Sequence, residues 1–146
     1  MRGFFRKKVS EPSSPAAGKD GGLSRDLVVL VVDDSPTETH LFVNTLSKAG
    51  FAVETAPNGE EGVALARRLH PDLILMDVVM PVLNGFQATR QLQRDPSTAD
   101  IPVIMVTSKD QDTDRTWGMR QGARDYLVKP VHPEELIARV RMLVGG

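Results

Sequence analysis

Three stretches of this chain are apolar without alternation: "LVVLVV" at 27–32, "LILM" inside "DLILMD" (72–77), and "VIMV" inside "IPVIMVTS" (101–108). A strand with one face in water alternates apolar and polar residues. A strand apolar on both parities is covered on both faces, as the central strands of a parallel sheet are when helices lie above and below it. Parallel neighbours cannot be joined by a tight turn; each pair needs a crossover of a dozen or more residues, usually a helix. These runs restrict the chain to an α/β architecture and predict helices in the intervals between them.

The intervals carry helix signals. Ser35-Pro36-Thr37-Glu38 opens one: Ser35 as N-cap, Pro36 at the first helical position, Glu38 closing a capping box. Leu41, Val43, Leu46 and Ala49 continue it until Gly50 stops it. "FAVETA" (51–56) is a second, more polar strand, expected at an edge. Asn58 caps a helix with Val63, Leu65, Ala66 and Leu69 inward, ended by His70-Pro71. A third helix is predicted over Phe86–Arg94 and a weak, Gly-interrupted fourth over about 112–120. "RDYLVKP" (124–130) is a fifth strand. Pro133-Glu134-Glu135 starts a last helix with Leu136, Ile137, Val140 and Leu143 on its apolar face. Five strands alternating with five helices predict a doubly wound five-stranded parallel sheet with right-handed crossovers.

Composition bounds the rest. Residues 1–26 are rich in Ser, Pro, Gly and Ala and are expected to form a disordered, mildly basic tail, leaving 27–146 as the domain. The tail holds Arg2, Arg6, Lys7, Lys8, Lys19 and Arg25 against Glu11, Asp20 and Asp26, or +3, while the remainder is −4. A net charge of −1 gives no reason to expect nucleic acid as a partner. The absence of cysteine removes disulfides and thiol chemistry. "MRGFFRKK" lacks the apolar core of a secretory signal, so a cytoplasmic protein is expected. Its four positive charges and two Phe are the one candidate for membrane contact, at about 1 kcal/mol per basic residue near an anionic surface; a plain tail is the reading preferred.

In a doubly wound sheet the functional groups sit beyond the carboxyl ends of the strands. Those ends supply Asp33 and Asp34, then Asp77, then Thr107 and Ser108, then Lys129. Taken singly, the acids could be helix caps, Thr107 a strand-end hydroxyl, and Lys129 a surface lysine. Together they are what phosphoryl transfer needs: oxygen ligands for Mg²⁺ or Mn²⁺, a carboxylate nucleophile, and an ammonium and hydroxyl for the phosphoryl oxygens. Asp33 and Asp34 repel each other, so the pair is expected to favour a cation.

In this order "VVDDS", "LMDVVMPVLNG", "VTS" and "YLVKP" resemble the receiver domain of two-component response regulators, over about residues 27–145. Longer passages, "VDDSPTE", "VMPVLNGFQATRQL" and "TSKDQDTDRTWGMRQGARDYLVKPV", are similar to the stand-alone receivers of the type IV pilus (twitching-motility) chemotaxis system. The tail departs from that pattern. The resemblance implies the flavodoxin-like strand order 2-1-3-4-5; Asp77 as phospho-acceptor; Asp34, Asp33, Asp77 and the Val78 backbone carbonyl as metal ligands; Thr107 and Lys129 as phosphoryl contacts; and a cis Lys129–Pro130 peptide. It implies Tyr126 as a switch residue linked to Thr107, and Val79 and Lys109 as residues that tune phosphoryl lifetime. The implied partners are a histidine kinase of the chemotaxis type and a downstream protein meeting the face of the fourth helix, fifth strand and fifth helix.

Three rivals are weighed against this reading. A haloacid-dehalogenase-type phosphatase needs a second acid two residues after the nucleophile, where this chain has Val79. A flavodoxin needs a hydroxyl- and Gly-rich loop after the first strand, where this chain has Asp33-Asp34. A receiver-fold binding module without switching is expected to lose an acid or the lysine, and this chain has all of them. Trp117 is read equally as helix packing or as part of a partner surface. His40, His70 and His132 lack ligand spacing and are given no chemistry.

Overall fold

The computed structural model describes residues 26–145. The expected tail therefore lies outside the described residues, save Asp26. Five strands, β1 (Val28–Val32), β2 (Ala52–Ala56), β3 (Leu73–Met76), β4 (Val103–Thr107) and β5 (Asp125–Val128), alternate with five helices. The helices are α1 (Pro36–Lys48), α2 (Gly59–Leu69), α3 (Gly85–Arg94), α4 (Asp112–Arg120) and α5 (Pro133–Val144). Every strand pair is parallel and the order is β2-β1-β3-β4-β5, the flavodoxin-like arrangement expected.

The two parities of the central strands fill two cores. Val29, Val31, Leu73, Leu75, Ile104 and Val106 pack with Phe42 and Leu46 of α1 and with Leu136 and Val140 of α5. Leu30, Val32, Ile74, Met76 and Val103 face the other way, onto Val63 and Ala66 of α2 and Ala88 and Leu92 of α3. Each such side chain, fully buried, contributes about 1.5–3 kcal/mol of transfer free energy. A smaller cluster of Val78, Met105, Ala123 and Tyr126 lies beside them, with Phe86 and Val128 against it.

β3, β4 and β5 are shorter than the stretches 72–77, 101–108 and 124–130 that contain them, for local reasons. Asp72 leaves β3 to accept a hydrogen bond from the Val28 N–H through Oδ2. Pro102 has no N–H and joins the ladder only as an acceptor, from Ile74 N–H at 3.0 Å. Pro130 closes β5 behind a cis Lys129–Pro130 peptide bond. The capping box expected at α1 is only half made. Ser35 Oγ accepts from Glu38 N–H at 3.3 Å, but the Ser35 N–H donates to Asp33 Oδ1 at 2.9 Å and the Glu38 carboxylate turns toward Lys129. Asn84 and Gln87 form a complete box at α3 instead. Among the described residues no helix is long and apolar enough to cross a membrane.

Candidate functional site

Because the strands are parallel, their carboxyl ends meet at one edge, and the last rungs of the ladder hold the site's backbone. Asp33 N–H donates to Ala56 O at 3.1 Å, Asp77 N–H to Val32 O at 2.9 Å, and Lys129 N–H to Thr107 O at 2.8 Å. The sheet therefore delivers Asp33, Asp77, Thr107 and Lys129 to one point. Asp34 follows on the loop into α1 and is exposed.

Asp33, 4% exposed, is held on both sides. Its Oδ1 accepts from Ser35 N–H, and its Oδ2 accepts from Lys129 Nζ at 2.9 Å. The same ammonium lies 3.6 Å from Asp77 Oδ2 and 3.7 Å from Glu38 Oε1. Burial works against the Lys129 charge, but the Asp33 hydrogen bond and the charges of Asp77, Asp33 and Glu38 outweigh it and raise its pKa. Asp77 is 8% exposed. Burial pushes its carboxyl above the ordinary value, and the Asp33 charge adds to this. Lys129, the Thr107 hydroxyl and the Val78 N–H pull the other way, the last at 2.7 Å from Oδ1.

Asp33, Asp34 and Asp77 each offer one carboxylate oxygen, and these lie within 4.8 Å of one another. Mg²⁺ takes hard oxygen donors and keeps several waters, so three carboxylate oxygens gathered at one point are the donor set it would need. The residues fit a divalent cation. Beside them a cavity of about 440 Å³ opens between α1 and the end of β2, lined by Asp33, Asp34, Thr39, His40, Val43 and Pro57 among others.

The remaining expected residues divide. The Val78 carbonyl accepts from Gly85 N–H at 2.9 Å, so one of its lone pairs is committed inside the β3–α3 loop. Val79 is 57% exposed on the loop. Thr107 is buried, and its Oγ1 accepts from Lys109 N–H at 3.4 Å. Tyr126 is buried and donates its hydroxyl to the Lys109 carbonyl at 2.9 Å, so its link to Thr107 runs through Lys109. The Lys109 ammonium lies 3.7 Å from Asp114.

Three contributors escaped the reading of the sequence. Glu38, taken as a capping residue, is a third anion on Lys129. Gly85 lets α3 start against Asp77: a Cβ there would collide with the Asp77 carbonyl oxygen and stand 2.8 Å from the Val78 Cα. Gly59 does the same for α2, where a Cβ would collide with the Leu83 carbonyl oxygen. Asn58-Gly59 and Asn84-Gly85 share an Asn-Gly signature that marks such starts.

The family pattern described as "Response regulator receiver domain" matches residues 29–141. Protein PilH of Pseudomonas aeruginosa is 58% identical over 118 residues, covering 81% of this chain and 98% of PilH. Longer regulators also match, and the chain spans about half or a quarter of their length. Chemotaxis protein CheY4 of Vibrio cholerae superposes with a TM-score of 0.77 at 34% identity, covering 82% of this chain and 99% of CheY4. The receiver domain of sensor histidine kinase PA1611 of Pseudomonas aeruginosa, solved with a magnesium ion coordinated in its active site cleft, gives 0.78 at 30% identity over 84% and 100%.

Proposed function

The chain belongs to the response regulator receiver domain family, and on that premise we propose that it accepts a phosphoryl group on Asp77 from a histidine kinase and signals by protein contact or by draining phosphate from that kinase. One observation carries the reading: three carboxylates whose oxygens lie within 4.8 Å, faced by an ammonium 2.9 Å from one and 3.6 Å from another. Such a site is unsatisfied without a cation and suited to a dianionic group.

In the transfer, an Asp77 carboxylate oxygen attacks phosphorus, the P–O bond forms, and the P–N bond to the kinase histidine breaks. The imidazole leaves with the electron pair and takes up a proton. Val78 N–H fixes the rotation of the Asp77 carboxylate by holding Oδ1. Lys129 meets the transferred phosphoryl oxygens as its hold on Asp33 relaxes, and the Thr107 hydroxyl donates to one of them. A divalent ion held by Asp33, Asp34 and Asp77 would neutralise charge developing on those oxygens. The Val78 backbone carbonyl, whose second lone pair is not used by the Gly85 N–H, would be a further ligand to that ion.

Movement of Thr107 toward the phosphoryl group would loosen its contact with the Lys109 segment, to which Tyr126 is bonded, and so bias the surface of α4, β5 and α5. The similarity to PilH supports a role in type IV pilus motility, in the cytoplasm and with a kinase of the chemotaxis type. Turnover of small phosphate esters is not part of this function, since Val79 cannot act as an acid. Transfer from a phosphorylated kinase tests the proposal: Asp77→Ala should take up no label, and undiminished labelling would remove Asp77 from the role.

A further inference from the structure

α4 is poorly equipped to stay on the sheet. Only Gly118 of its nine residues is buried, and its two large apolar side chains, Trp117 and Met119, are exposed. What holds it converges on Tyr126. A Cβ at Gly118 would stand 2.7 Å from Met105 Sδ and 3.1–3.2 Å from the Tyr126 ring, so the helix backbone lies against one edge of that ring. Arg115 covers a face: its guanidinium carbon is 5.2 Å from the ring centroid, and Nη1 donates to the Tyr126 carbonyl at 2.9 Å. One side chain of α4 thus grips both the ring and the backbone of the same residue of β5.

We propose that Arg115 is a positioning residue that latches Tyr126 inward and fixes α4 on the sheet before any phosphoryl group arrives. The fork of the guanidinium makes this possible: one N–H is spent on the carbonyl while the flat cation rests on the ring. A lysine could supply the charge but not both contacts. The hydroxyl end of the ring holds the Lys109 carbonyl, and the Lys109 N–H meets Thr107 Oγ1, so a continuous set of contacts runs from Arg115 to the edge of the acidic site. The latch sets how far the resting chain already occupies the inward state. That consequence rests on the receiver reading; the latch itself does not.

The chain has one tyrosine and one tryptophan, which makes the test direct. With 3-fluorotyrosine incorporated, Tyr126 gives a single fluorine resonance, and Trp117 emission reports α4. In metal-free, unphosphorylated protein, Arg115→Gln should add or exchange with a solvent-exposed fluorine signal, the outward population rising about tenfold, as expected for the loss of a hydrogen bond to a charged group. Arg115→Lys should fall between the two, and Gly118→Ala, which crowds the ring at its edge, should shift the signal in the same direction. Arg120→Gln on the same helix should change nothing. An Arg115→Gln spectrum identical to the parent's, with Trp117 emission unmoved, overturns the proposal. Because no phosphoryl donor is present, the outcome does not depend on whether Asp77 accepts phosphate.

Discussion

Asp77 sits under opposed demands. A nucleophile must be ionised, yet burial and the neighbouring Asp33 raise its pKa above 3.8, against Lys129, Thr107 and the Val78 N–H. The sign of the consequence follows from linkage. Between 3.8 and the raised folded value, the native state binds more protons than the unfolded chain, so stability falls as pH rises through that window and the whole penalty is present above it. Asp77→Asn removes the charge and keeps the shape. With chelator present, the variant should melt above the parent at pH 7, and the gain should shrink as pH falls toward 3.8. A variant that melts lower at pH 7 would show that the Lys129 attraction outweighs burial. Much of this residue-level balance is hidden in sequence. Asp33, Asp77 and Lys129 announce themselves as strand-end residues, but that Glu38 shares Lys129 depends on α1 turning its first carboxylate inward, which no spacing rule specifies.

Elements differ in how legibly they are written, and the difference follows what holds them. β1, β3 and β4 are buried on both faces and appear as unbroken apolar runs; only their ends shift, at Asp72, whose carboxylate accepts from the Val28 N–H, and at Pro102, which pairs as an acceptor alone. α4 is held by one arginine and a close glycine contact, and neither leaves a hydrophobic period to read. The β3–α3 loop is a third kind, shaped by backbone approach. Gly85 brings α3 against the Asp77 carbonyl, and Val82 adopts a φ of 70°, which a β-branched side chain resists. Gly85→Ala should therefore cost about 1–3 kcal/mol or more in denaturant melts, because the atoms it strikes are backbone and cannot swing aside. It should also displace the Val78 N–H from Asp77 and slow labelling. Val79 on the same loop offers no hydrogen bond to orient a hydrolytic water, so the phosphoryl group should have a moderate-to-long lifetime. Val79→Asn, supplying such a bond, should shorten the lifetime about fivefold, the worth of roughly one net hydrogen bond. Decay slower in Val79→Asn than in the parent would reverse that assignment.

At the scale of the whole molecule, the fold concentrates like charge at one edge of a well-packed sheet. Two apolar layers stabilise β1 and β3 strongly enough to hold Asp33 and Asp77 where neither would go by itself. Lys129 offsets part of the repulsion, but it is one cation shared among Asp33, Asp77 and Glu38, and Asp34 makes no ion pair among the described residues. The folded state gathers three carboxylate oxygens that the unfolded chain scatters, so a divalent ion should bind the native form in preference and stabilise it by mass action. At a hundredfold excess over its dissociation constant, Mg²⁺ should add about 2.7 kcal/mol, or roughly 10 °C for a domain of this size. Asp34 is the proposed ligand whose loss tests this most cleanly, because it is exposed and outside both cores. Asp34→Ala should leave the chelator-treated melting temperature within about 0.5 kcal/mol of the parent and abolish the Mg²⁺ gain. A parent melting temperature unmoved by millimolar Mg²⁺ would mean that Lys129 alone satisfies the acids, and that the pair following β1 is a turn.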